Sequence, residues 1–382
     1  MKVGIIGYGV RIEGMFHILK GLSDDVSLAA VADVDLEKVR GQIRASGMDE
    51  DALHFYERAE DMLDFEKLDG VMVGTRCNLH ARYGTEVMRR GIPLFLEKPV
   101  ATNLADLRLL EKTRLETGSP VVVSFPLRLT QIAQLTKEIL LSGEIGAVQN
   151  VNAWNDVPYG GVYYHGWYRD EGITQGLFLQ KSTHDFDLIN FMLDLQPKTI
   201  CAMNAKQLFL GDMPEGLHCS DCEKKYTCRE GSWYIINKRG DEPHGDFCCF
   251  AKDTGNEDSG AAIVRYETGM IASYSQNFFA RHQAGRRGMR LFGYEGTLEF
   301  DFYSDEGVKV YSHMANKRSV YKVPRQEGGH GGGDTALARN FLEVMRGEAK
   351  SKATLQSGIL SALMCIRARE SAEQDHFCTV AF

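Results

Sequence analysis

Gly7-Tyr8-Gly9 follows the apolar run Lys2 to Ile6, where a strand would turn tightly into a helix. Glycines there let backbone N–H groups approach a pyrophosphate closely, and a helix N-terminus adds a favourable field. A second apolar segment, Ser27 to Ala32, ends at Asp33, at the distance where a carboxylate accepts hydrogen bonds from an adenosine ribose and repels a 2′-phosphate. The pair predicts a dinucleotide, NAD rather than NADP. The strict G-x-G-x-x-G pattern is incomplete, because Ile12 stands where the third small residue belongs and Gly14 is out of register. The expectation is a wider turn or a shifted helix start.

The next strand exits carry the remaining chemistry of this half. Leu68 to Val73 leads into Thr75-Arg76-Cys77-Asn78-Leu79-His80, and Pro93 to Leu96 leads into Glu97-Lys98-Pro99. An ammonium at Lys98 beside a nicotinamide would orient a substrate hydroxyl and stabilise charge developing on its oxygen; the plain alternative is a solvated lysine beside a turn. Pro99 would stiffen that turn through either peptide isomer. The candidate cofactor contacts are therefore Gly7, Tyr8, Gly9, Val10, Arg11, Asp33, Thr75, Asn78, His80, Glu97 and Lys98.

Further along, Gly176 to Leu188 contains Lys181-Ser182-Thr183-His184-Asp185-Phe186-Asp187. Positions 181, 184, 188, 191 and 192 can share one helical side, which would aim Lys181 and His184 together. Hydride leaves an alcohol carbon only if the hydroxyl proton also leaves, and histidine changes charge near neutral pH, so His184 is the candidate base. Packing or capping explains a lone histidine equally well. Lys181 either assists directly or tunes His184, since a nearby cation disfavours imidazolium. Asp185 and Asp187 read first as structural. Trp154, Tyr159, Tyr163, Tyr164, His165 and Trp167 suit either a sugar or polyol pocket or an aromatic interface.

Cys219-Ser220-Asp221-Cys222, Cys228 and the pair Cys248-Cys249 fall in one charged, loop-rich stretch near 211–250. Two thiolates from C-x-x-C, Cys228 and a later cysteine would complete a structural zinc site, assigned to Cys219, Cys222, Cys228 and Cys248. A redox-sensitive dithiol and simply packed cysteines are the alternatives. In Gly328-Gly329-His330-Gly331-Gly332-Gly333-Asp334 the chain bends towards a helix, with Asp334 as candidate cap and His330 either in an ordinary loop or near the cleft.

The elements that must position these groups fit two domains in 382 residues. Residues 1–124 read as an N-terminal Rossmann domain of buried parallel strands, ending with Val121 to Ser124. Residues 125–382 read as an α+β domain: a helix over Leu129 to Leu141, then short strands over Ala147 to Asn155, Thr199 to Ala205, Ala261 to Tyr266, Met270 to Tyr274, Met289 to Phe292 and Thr297 to Phe300, with helices at Asp334 to Val344 and Leu355 to Ala372. Such strands favour an open, mostly antiparallel sheet with one face free for a second subunit. A net charge of −8 argues against nucleic acid as a partner. There is no apolar stretch to cross a membrane and no secretory pattern at the start, so a cytoplasmic location is expected.

Taken together, Gly7-Tyr8-Gly9, Asp33, Asn78-Leu79-His80, Glu97-Lys98-Pro99 and Lys181 to Asp187 resemble the glucose–fructose oxidoreductase/inositol dehydrogenase (Gfo/Idh/MocA) superfamily over nearly the whole chain. The resemblance implies NAD- or NADP-linked oxidation or reduction of sugars, polyols and related carbohydrates by homodimers or homotetramers. It implies that Lys98 is the active-site lysine and His184 the catalytic histidine. Many members place an aspartate four residues before that histidine, where this chain has Gln180; Lys181 looks like the replacement in a Lys-Ser-Thr-His branch, which the cysteine insertion and Gly331-Gly332-Gly333-Asp334 also resemble. Two other functions stay open: lyase or glycoside-cleaving chemistry through transient oxidation, and a non-enzymatic NAD-binding regulatory role.

Overall fold

The structure, a computed structural model, describes residues 1–324 and 328–382. The chain divides into two compact units, one of Met1–Gln134 with the described part of 325–363 and Phe382, the other of Leu135–Pro324 with Met364–Ala381.

The first unit holds six parallel strands: β1 (Lys2–Ile6), β2 (Ser27–Ala32), β3 (His54–Tyr56), β4 (Gly70–Val73), β5 (Leu94–Leu96) and β6 (Val121–Val123). Their order is β3-β2-β1-β4-β5-β6. Every residue of β4, β5 and β6 is buried, as strands covered on both faces require. The order reverses direction between β1 and β4, so a crevice opens beyond their carboxyl ends, where doubly wound sheets bind ligands. The helix Gly333–Met345 packs in this unit beside the helix Val10–Gly21, so the late segment returns to the nucleotide-type fold.

The second unit is a nine-stranded sheet built from β7 (Val148–Asp156), β8 (Pro197–Ala205), β9 (Ser259–Tyr266), β10 (Ile271–Asn277), β11 (Arg286–Gly293), β12 (Gly296–Asp301), β13 (Val308–Ser312), β14 (Arg318–Tyr321) and β15 (Cys378–Thr379). The order is β14-β13-β12-β11-β7-β10-β9-β8-β15, and only β7 and β10 run parallel. Burial alternates along β9 and β10, as period-two strands with one covered face demand. The helix Thr183–Leu193 makes contact with β7 and buries His184, Asp185, Phe186 and Asp187. Met203, Ile263 and Ile271 are exposed along the sheet.

Candidate active site

The glycine turn forms without the third glycine. Gly7 sits at φ +80, and a Cβ there would lie 2.7 Å from the Thr75 backbone nitrogen, so only glycine lets β1 pass so close to the exit of β4. The helix starts at Val10 on an extended Gly9 cap, neither shifted nor preceded by a wider turn. The reason is Gly74. Ile12 is buried, and a Cβ on Gly74 would stand 2.5 Å from the Ile12 Cβ, so the missing side chain has moved from the helix to the facing strand end. The expected widening is thereby corrected.

Asp33 secures the turn from the neighbouring strand. Its carboxylate accepts the Tyr8 amide at 2.7 Å and the Asp35 amide at 3.0 Å while remaining partly exposed. Gly9 and Val10 are exposed at the helix start, whereas the Tyr8 ring is buried and its hydroxyl has no partner among the described residues. Burial, with Glu13 nearby, pushes that phenol well above its ordinary value.

Arg11 and Glu97 are drawn into an internal clamp. Arg11 donates through Nε to Glu97 at 3.2 Å, through Nη1 and Nη2 to the two Asp334 oxygens at 2.9 and 2.7 Å, and to Ser124 at 3.3 Å. Asp334 is therefore not a helix cap; Gly332 holds that position, and the Asp334 carboxylate grips Arg11 and the His330 ring instead. Burial would raise the Asp334 carboxyl, but hydrogen bonds from His330 and Arg11 together with the guanidinium charge outweigh it and hold the group far below the usual range. Glu97 also accepts the Lys98 amide at 3.3 Å, so the clamp fixes the backbone from which the half-buried Lys98 extends. The Lys98–Pro99 bond is cis.

His80 straps two strand exits, its Nδ1 lying 2.7 Å from the Pro99 carbonyl and its Nε2 3.0 Å from the Thr75 carbonyl. Full burial lowers its proton affinity, against the pull of those carbonyls. Thr75 packs its methyl against Gly7, and Asn78 is exposed beside it.

In the second unit, a wide helical turn over Phe178–Ser182 runs into the helix Thr183–Leu193. Lys181 and His184 are both buried. The Lys181 ammonium donates to the Tyr159 hydroxyl and lies 4.5 Å from that ring's centroid. Desolvation depresses its proton affinity, only partly offset by Tyr159, and Arg287 lowers it further. Asp185 is structural: its Oδ1 accepts Arg287 Nε at 2.7 Å, and its Oδ2 accepts Asn155 and Tyr274, each at 2.8 Å. Gln180 donates its amide to the Thr174 carbonyl at 2.7 Å. An aspartate or glutamate has no proton to give there at neutral pH, which explains an amide at this position.

Sequence reasoning missed Arg287 and the part of Tyr159. Placing β11 at Met289 hid the alternation that turns Arg287 inward from Arg286 onward. Tyr163 and Tyr164 belong to an apolar cluster with Val157, Leu177 and Phe278, so packing accounts for them. Trp154 donates to Asp301 at 3.2 Å, and Trp167 stacks on Tyr168.

Cys219, Cys222, Cys228 and Cys248 share one insertion, and none of the four is in a disulfide. Burial raises the Cys219 and Cys248 thiols. Among the described residues, the one group whose ligand atoms converge within 4.8 Å is Glu370, His376 and Cys378, not the four cysteines. No described helix is long and apolar enough to cross a membrane.

Comparison with known proteins decides the family. An oxidoreductase-family model with an NAD-binding Rossmann fold matches residues 1–125, and a GFO/IDH/MocA C-terminal domain model matches residues 133–299. The chain belongs to the GFO/IDH/MocA family. This family member is therefore an NAD-binding oxidoreductase. It is 28% identical to YteT of Bacillus subtilis (strain 168), over 74% of each chain. It is 26% identical to myo-inositol 2-dehydrogenase of Thermotoga maritima, over 53% of this chain and 58% of that one. Among solved structures, an oxidoreductase domain protein from Kribbella flavida superimposes with a TM-score of 0.81 at 14% identity, covering 100% of this chain and 99% of that one. Levoglucosan dehydrogenase, solved with NADH and levoglucosan, gives 0.78 at 15% identity with the same coverage. These structural likenesses support the fold.

Proposed function

We propose that this GFO/IDH/MocA protein exchanges hydride between NAD and a carbinol carbon of a sugar, polyol or related carbohydrate. The observation that carries the reading is the turn at the β1/β4 reversal, where the helix start at Gly9 and Val10 is exposed and Asp33 presents a partly exposed carboxylate. The residues fit the cofactor: a Cβ at Gly9 would meet nothing closer than the Gly74 carbonyl at 3.7 Å, and Gly9 and Val10 expose the helix start to a pyrophosphate. NAD, when bound, accepts or returns the hydride. His184 takes the hydroxyl proton, Lys98 holds the oxygen, and Lys181, with its depressed proton affinity, assists beside Tyr159. Relatives named as inositol dehydrogenases support the substrate class. The motif Lys181-Ser182-Thr183-His184 and the cysteine insertion support a Lys-Ser-Thr-His branch.

The test is Lys98→Ala, with NADH binding read by fluorescence and turnover read against a panel of sugars and polyols. Normal binding with turnover lowered at least 100-fold is expected; full turnover would overturn the role of Lys98.

Zinc held by Cys219, Cys222, Cys228 and Cys248 is proposed on donor chemistry and shared location alone, since the four sulfurs do not converge in threes. Elemental analysis of protein purified without chelator is expected to give one zinc per chain; no stoichiometric metal would refute it. A homodimer or homotetramer is proposed from the exposed apolar residues Met203, Ile263 and Ile271, and a cytoplasmic location from the thiols of Cys219, Cys222, Cys228 and Cys248, clustered in one insertion without a disulfide. Light scattering and fractionation read these two.

A further inference from the structure

A cavity of about 260 Å³ adjoins Tyr159 in the second unit, walled by the cysteine-bearing insertion through Glu230, Arg239 and Asp241 and by Arg281 and His282 from the loop after β10. Its size falls just below the roughly 300–1,000 Å³ of ordinary small-molecule sites, room for one ring. Tyr159 belongs to two places at once: its hydroxyl receives the Lys181 proton donor, and its side chain lines this cavity. The cavity therefore begins where the Lys181 constellation ends.

The charged groups in its wall are balanced and loosely paired. Glu230 lies 3.4 Å from Arg239 and 3.5 Å from Arg281, while Asp241 lies 3.7 Å from both Arg239 and His282. These contacts lie at the long edge of hydrogen-bond range, so the same N–H groups and carboxylate oxygens keep capacity for hydroxyl groups that enter the cavity. Two arginines face Glu230, Asp241 and Glu242, leaving no surplus positive charge for an anion. Alternating fixed donors and carboxylate acceptors beside an aromatic ring suit a neutral polyhydroxylated ring, which has polar edges and an apolar face. Gly161 also lines the cavity and packs on His165, whose Nδ1 is bonded to the Phe247 carbonyl at 2.7 Å. His165 Nε2 is buried and has no hydrogen-bond partner among the described residues.

We propose that this cavity is a second sugar subsite, so that the substrate is a neutral glycoside of at least two rings, one reacting at Lys181 and His184 and the next held by Tyr159, Glu230, Arg239, Asp241 and Arg281. The proposal rests on the carbohydrate oxidoreductase reading and deepens it. The insertion thereby determines specificity rather than merely decorating the fold.

Saturation-transfer NMR on the full chain with NADH reads binding without turnover. The probes are cellobiose, lactose and maltose against glucose, galactose and galacturonate. Magnetisation reaching both rings of at least one disaccharide is expected, with transfer to one ring reduced at least five-fold in Arg239→Ala and in the isosteric Glu230→Gln. Transfer confined to one ring, equal signals in the variants, absence of disaccharide binding, or preference for galacturonate would each overturn the subsite. Two-ring binding without any NADH formation on adding NAD would uphold the subsite and sink the redox reading instead.

Discussion

Gly74→Ala should destabilise the protein specifically through Ile12. The new Cβ would stand 2.5 Å from the Ile12 Cβ, whereas carbon atoms rest at about 3.5–4.0 Å, so the end of β4 and the helix Val10–Gly21 must part by roughly 1 Å. Overpacking of that kind costs about 2 kcal/mol, or about 5 °C in Tm for a unit of this size. Ile12→Gly alone should cost about 4–5 kcal/mol, from a lost buried side chain and a glycine inside a helix. In that background the three nearest atoms to the new Cβ are gone, and the φ of Gly74 is not in the left-handed region, so Gly74→Ala should be neutral or stabilise by about 0.5 kcal/mol. The four proteins form a double-mutant cycle, read by urea unfolding followed by far-UV circular dichroism. A coupling of about 2 kcal/mol is expected. Equal costs for Gly74→Ala in both backgrounds, within about 0.5 kcal/mol, would refute the compensation.

Asp334→Asn should cost about 1–3 kcal/mol at pH 7, less than a fully buried pair because Arg11 is 39% exposed. The native carboxyl titrates below its unfolded value, so the pair's contribution is complete above about pH 4 and is lost as pH falls further; melting curves of variant and parent should converge there. Gln180→Glu leaves the Thr174 carbonyl without its donor and buries a carboxylate facing it, for a loss of about 1–3 kcal/mol at neutral pH. Burial raises the folded pKa of that new acid, so the variant should regain stability as pH drops through it; a constant deficit across pH would count against the contact. Asp185→Asn removes the charge that compensates buried Arg287 and should cost about 3–5 kcal/mol in urea unfolding, whatever its effect on turnover.

Much of this was legible from one dimension because of how parallel strands are buried. The apolar runs that became β1, β2, β4, β5 and β6 needed no partner to be read, since both of their faces are covered. β3 has an exposed histidine and two half-buried aromatic residues, and β13 and β14 are only five and four residues long with lysine, arginine and serine among them, too short and polar to stand out. In the site, the glycine turn and Asp33 are local signals and were found. Gly74 and Asp334 act on residues remote in sequence, so Ile12 looked like a defect and Asp334 like a cap. The helical face proposed for Lys181 and His184 assumed regular spacing, but the wide turn over Phe178–Ser182 ends between them. Arg287 was hidden by a strand start set three residues late.

The clamp on Arg11 has a consequence for biosynthesis. Arg11 and Asp334 are separated by 323 residues, and the helix that carries Asp334 packs in the same unit as the first glycine turn. At about 5–20 residues per second, a ribosome finishes that partner roughly a quarter of a minute to a minute after Arg11 emerges. During that interval the Arg11 guanidinium has Glu97 but lacks its two bonds to Asp334, and a bare patch remains where the late helix belongs, so the nascent nucleotide fold should lean on chaperones. Pausing between the two segments should lengthen that dependence, whereas supplying the late helix in trans should shorten it.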